Sequence, residues 1–182
     1  MPLSIFRSLI DRKFRSIAGD RYDEIVKRYR EFLLLPEEFV LPEVESILIP
    51  LDRFSGDFHG VLDVLEAYRG AKVRLVYLLD AQTFRLIEET LGEEEAQKLL
   101  QVERERGKRL VEALKESLEG FGLEVQAEER FGDKGDDVIE MASEYDLLVI
   151  SRSFGSEVTK TSPISPVVLK VVQHVLVPVI VY

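Results

Sequence analysis

The chain has 182 residues, with 24 Lys and Arg against 34 Asp and Glu, a formal net charge of −10, two histidines and no cysteine. That length supports one good core plus an appendage. The missing cysteines remove disulfides, thiolate zinc sites and cysteine nucleophiles together, and His59 and His174 are too far apart in sequence to suggest a metal centre or a histidine base. An acidic chain without a basic stripe and interleaved aromatics is not expected to bind nucleic acid. No apolar run approaches the ~20 residues that span a bilayer, and the N-terminus lacks a signal-peptide core, so no transmembrane segment and a cytoplasmic location are expected.

Residues 1–44 stand apart in character. They hold eight basic and eight acidic residues, so residues 45–182 carry the whole charge imbalance. "SIFRSLIDRKFRSIAG" and "DRYDEIVKRYREFLLL" read as two amphipathic helices parted by Gly19-Asp20, with Pro36 and Pro42 bounding a linker. We therefore divide the chain into an N-terminal helical extension, 1–44, and a domain, 45–182. Docking of the extension on its own domain or on a sister subunit is expected ahead of a membrane-surface role.

From residue 46 strand-like and helix-like patterns alternate. "SILIPLD" is a short apolar run ending in a polar loop, and "VLDVLEAYRG" has helical spacing with Gly70 as its stop. "KVRLVYLLD" is a second strand. A long helical stretch follows, broken near Gly92 and ended by Gly120. "LEVQAEE" alternates, as an edge strand does, and "GDKGDD" forms a loop whose Asp136 can cap the helix "DVIEMASEY". "DLLVI" is continuously apolar, as a central parallel strand must be. "SRSFGSEVTKTSPIS" then leads into the helix "PVVLKVVQH", and "VPVIVY" closes the chain, with Pro178 tolerated at a strand start. Strands joined by helices predict an α/β fold: an open, mainly parallel five-stranded sheet with helices on both faces and right-handed crossovers.

In such sheets ligands bind beyond the carboxyl ends of the strands, where strand order reverses. Two segments can meet there, "IPLD" after the first strand and "SRSFG" after the fourth. With the terminal "VPVIVY", this pattern over residues 45–182 resembles the universal stress protein family. The resemblance implies that Pro50-Leu51-Asp52 is the family's Pro-x-Asp, with Asp52 facing an adenine and Leu78 lining the base pocket. It also implies that the loop after the fourth strand is the family's Gly-x2-Gly-x9-Gly-Ser/Thr phosphate cradle. The three glycine positions fall at Arg152, Gly155 and Ser165, and the hydroxyl position at Pro166, so the spacing is kept while one glycine of three survives. ATP or another adenine nucleotide is the cofactor this resemblance suggests. The family also implies a homodimer, or a higher homo-oligomer, through the terminal strand, with Val177, Val179, Ile180, Val181 and Tyr182 at the interface.

The substitutions have physical consequences of their own. Glycine allows positive φ and close approach of backbone to an anion, which Arg152 does not. Pro166 removes a backbone donor from a helix N-terminus that would otherwise face phosphate. Ser165-Pro166 is instead a good N-cap and N1 pair. Arg152, Lys160 and the hydroxyls of Ser151, Ser153, Thr159 and Thr161 remain able to hold an anion by side chains, although a solvated loop without its usual occupant is the expected state. Asp52 is the one well-placed acid of the switch region, and neither a Walker loop nor a Gly-x-Ser-x-Gly elbow is present. A phospho-receiver would need clustered acids that this chain lacks. A dimeric regulatory or protective protein with a degenerate nucleotide site and weak or no ATP binding is expected. A nucleotide-binding stress protein with weak ATPase activity is the alternative.

Overall fold

The structure is a computed structural model that describes residues 15, 17–24, 44–56 and 58–182. The chain divides into two compact units, 1–43 and 44–182. In the first, a 3-10 turn at Gly19–Arg21 interrupts helical residues, and the Arg15 guanidinium lies 5.1 Å from the centre of the Tyr22 ring. The remainder of the two expected helices lies outside the described residues.

The second unit is a five-stranded sheet in the order β3-β2-β1-β4-β5, with every pairing parallel. Its elements are β1 (Ser46–Leu51), α1 (His59–Leu65), β2 (Lys72–Asp80), α2 (Ala81–Leu91), α3 (Glu93–Gly120), β3 (Glu124–Gly132), α4 (Lys134–Ala142), β4 (Leu147–Ile150), α5 (Pro166–His174) and β5 (Val179–Val181). Strands β1 and β4 read as near-continuous apolar runs, and β2 as one interrupted by Arg74, because helices cover both faces of the sheet. Side chains alternate between the faces with a period of two. Ile47, Ile49, Leu51, Leu75 and Tyr77 join the core beneath α1 and α3, while Leu48, Val76, Leu78, Leu148 and Ile150 join the core beneath α4 and α5. Each fully buried leucine or isoleucine contributes roughly 1.5–3 kcal/mol.

Three local features shape the upper edge of the sheet. The β1–β4 ladder stops at Leu48–Leu148, and Pro50, two residues further, has no N–H with which to continue it. The ends of β1 and β4, where strand order reverses, are therefore not joined by the ladder, and the loops that follow them meet there. Asp80 ends β2 and caps α2, accepting from the amides of Gln82 and Thr83 at 3.0 Å each. Gly92, at φ +87°, turns α2 into α3, which returns across the sheet and lets the Tyr77 ring in at Gly107. A Cβ on Gly107 would lie 2.4 Å from that ring. Helix α4 is capped by Asp133, not Asp136 as the sequence suggests: the Asp133 side chain accepts from the amides of Gly135 and Asp136. Asp136 lies in the first turn and pairs with Lys170 of α5 at 2.6 Å.

Candidate functional site

The crevice at the reversal of strand order is where an open α/β sheet takes a ligand. Asp52 follows β1 there and is fully buried. Its Oδ1 accepts from the Phe54 amide at 3.0 Å and the Ser55 hydroxyl at 2.9 Å. Its Oδ2 accepts from Lys134 Nζ at 2.8 Å and from the Gly155 amide at 2.8 Å. A carboxylate offers about four lone-pair sites, and all four are engaged by this chain's own donors. Asp52 thus ties the β1 loop, the first residue of α4 and the loop after β4 to one another. Lys134, itself buried, also stands 5.4 Å from the centre of the Phe54 ring, and Arg53 stands 5.6 Å from it on another approach.

The loop after β4 is closed in the same way. The Arg152 amide donates to Tyr182 O and the Ser165 amide to Arg152 O, both at 2.8 Å. The Ser151 and Ser153 hydroxyls lie 2.9 Å apart, and Ser153 Oγ donates to Phe54 O at 2.8 Å. Among the described residues no non-glycine has positive φ, so Arg152 sits in its glycine position in ordinary backbone. Gly155 keeps φ +90°, and a Cβ there would run to 2.5 Å from Val167. At the start of α5 the Ser165 hydroxyl donates to Phe154 O and accepts from the Val168 amide at 3.1 Å. Pro166 has no N–H, so among the first three residues of α5 only Val167 could offer an amide to an anion. Thr159 and Thr161 pair hydroxyl to hydroxyl at 3.2 Å on the exposed part of the loop.

Of the residues singled out from sequence, Asp52 and Gly155 meet directly, and Leu78 and Gly155 line one cleft. Pro50 and Leu51 lie within β1. Arg152, Ser165 and Pro166 serve the loop and the helix start. Val179, Ile180 and Val181 form β5 at the sheet edge, paired to β4, with Val177 and Tyr182 flanking them. Lys134, the ion-pair partner, is the residue sequence reasoning missed. It lies 82 positions from Asp52, and its one signal was a lysine at the opening of a helix after the third strand.

The cleft has a volume of about 400 Å³ and is bounded by Arg53 and Phe54, the end of β2, the facing sides of α2 and α3, Lys134 and Gly155. In its neighbourhood Tyr77 donates to Glu103 at 2.8 Å. Burial, reinforced by the Glu103 carboxylate, pushes the Tyr77 phenol well above its ordinary value. The phenol stays protonated and acts as a donor.

An open parallel α/β sheet with a buried aspartate after β1 and a capped loop after β4 defines a doubly wound α/β architecture. The particular family follows from comparison: residues 44–182 match the model of the Universal stress protein family, and the chain belongs to that family. Its fold is similar to that of the hypothetical protein MJ0577, at 20% identity and TM-score 0.64, over 76% of this chain and 95% of that one. The universal stress protein UspA from Lactobacillus plantarum is similar at 17% identity and TM-score 0.59, over 76% and 97% of the two chains. A universal stress protein solved in complex with cAMP is similar at 14% identity and TM-score 0.50, over 77% and 97%. No curated protein matches the chain. Among the described residues no helix is long and apolar enough to cross a membrane.

Proposed function

We propose that this universal stress protein is a homodimer with a regulatory or protective role whose switch-point crevice no longer holds a nucleoside triphosphate. The observation that carries the reading is the saturation of Asp52 by Phe54, Ser55, Lys134 and Gly155. A base presented to that carboxylate would have to displace a donor already in place, and a buried polar group left unpaired costs about 1–3 kcal/mol. The loop after β4 adds to this, since the Ser151, Ser153, Thr159, Thr161 and Ser165 hydroxyls and the Val168 amide are bonded within the chain. Catalysis forms no part of this reading.

The alternative, a binder of adenine nucleotides, is supported by the neighbour solved with cAMP. Calorimetry with ATP, AMP and cAMP separates the two. Wild-type protein should give no heat of binding at micromolar nucleotide. Arg152→Gly, Ser165→Gly and Pro166→Ser together should restore measurable ATP binding, because two regained charge-assisted bonds are worth a hundredfold or more in affinity. Micromolar ATP or AMP binding by wild type would overturn the proposal.

A further inference from the structure

Helix α5 has three sides, and each meets something different. Val168 and Val171 turn down onto the sheet and are fully buried. Lys170 turns towards α4, where its ammonium pairs with Asp136 at 2.6 Å. At about 100° per residue, Leu169 and Val172 fall on the remaining side, away from α4, and stay 48% and 42% exposed. Leu176, just past the helix, is fully exposed. Since α4 lies over β1 and β2, the side away from α4 faces β5, the edge of the sheet. Val179 packs in the core beneath α5. Val181, two residues on, points to the same face of the sheet and is also exposed. An apolar stripe on α5 thus continues into the edge strand.

Charge, area and symmetry single out a second copy of this chain as the occupant. All 34 Asp and Glu residues stand at or before Glu157, so the segment 158–182, with α5 and β5, holds no acidic side chain. Two copies of a chain of net charge −10 repel one another in general, and through this segment they approach without acid facing acid. Strand β5 has only three residues, whereas a stable interface engages about 20–30 residues a side. The strand alone is too small to hold a dimer. Antiparallel pairing of two β5 strands about a two-fold axis normal to the sheet leaves both α5 helices on one face. With strands about 4.8 Å apart and each α5 over its own β4–β5 pair, the two helix axes stand about 10 Å apart, a spacing at which helices pack.

We propose that Leu169, Val172 and Leu176 are a docking surface for the same residues of a second copy, so that an antiparallel pair of α5 helices, continuous with β5, closes the dimer. This inference rests on the reading that the protein is a homodimer, and it names the surface that holds the two copies together. Lys170 stays with Asp136 on the far side of the helix, outside the contact.

The chain has no cysteine, so single-cysteine variants of the full-length protein test the proposal directly. Helix axes about 10 Å apart bring facing Cα atoms to about 5 Å, within the span of a disulfide. Under mild oxidation, at least one of Leu169→Cys, Val172→Cys and Leu176→Cys should cross-link most chains into dimers. Glu112→Cys, on α3 at the opposite face of the sheet, should not. Val172→Asp should weaken the dimer about a hundredfold or more in sedimentation equilibrium, because the apolar contact is lost twice across the axis. Its circular dichroism should remain that of the folded chain, and if the variant unfolds instead, the cysteine variants decide alone. A wild-type monomer at micromolar concentration would overturn both this inference and the homodimer reading. A wild-type dimer in which none of the three cysteines cross-links, or which a folded Val172→Asp variant leaves intact, would overturn the α5 surface alone.

Discussion

Removing one partner of the Asp52–Lys134 pair would leave a charge enclosed among apolar side chains, which typically costs 3–5 kcal/mol. Both side chains are nearly inaccessible, at 0% and 8% exposure, so solvent screening does little to soften that cost. Asp52→Ala should therefore lower stability by about 3–5 kcal/mol in urea titration. It strands Lys134 and frees the Gly155 amide and the Ser55 hydroxyl at once. Asp52→Ala with Lys134→Met should recover part of the loss, because an apolar pair of similar size can replace a buried ion pair at little cost. A single Asp52→Ala variant as stable as wild type would show that the carboxylate does not hold these three segments together.

The two edge elements of the sheet differ in how they meet solvent. Strand β3 carries Glu124, Gln126, Glu128, Glu129 and Arg130, and charge along an edge discourages further pairing. Strand β5 is Val-Ile-Val, pairs to β4 on one side, and leaves Val181 38% exposed. An uncharged apolar edge of this kind invites a cover, and in the proposed homodimer a second copy of β5 would supply it. Light scattering should give a dimer at micromolar concentration, and Val179→Asp should reduce it to a monomer or unfold it; a wild-type monomer would refute the assignment. The elements themselves were legible in sequence because β1 beyond Ser46 and all of β4 are apolar and β3 alternates, which sets burial before any tertiary contact is known. Gly92 marked the end of α2 through its positive φ, and Gly120 is the last residue of α3, with the positive φ falling two residues on at Gly122. The site was legible only in part. Asp52 and Gly155 stood out by residue type, and in the structure the backbone of Gly155 and the approach of Val167 each require a glycine there. The choice of Asp133 over Asp136 as the cap depends on backbone dihedrals of −82° and 117°, which two nearby acids do not reveal. The role of Lys134 exists only once α4 lies beside β1.

At the scale of the whole molecule, both cores and all five strands found among the described residues lie within residues 44–182. Within that unit the partners of Asp52 are far apart in sequence: Lys134 lies 82 residues on and Gly155 lies 103. Contacts at such separation must wait for a large loop-closure entropy to be overcome. Strand β1 and its aspartate leave the ribosome long before either donor, so the carboxylate stays hydrated until α4 and the loop after β4 have docked. An interaction that arrives after the folding transition state acts on the rate of opening and not on the rate of closing. The Asp52 junction is then a latch with a lifetime. In a denaturant chevron, Lys134→Met should raise the unfolding limb while leaving the folding limb where wild type has it, and a slowed folding limb would place the junction in the nucleus instead. A molecule closed by such a latch persists once assembled, even through brief exposure to conditions under which it could not fold anew.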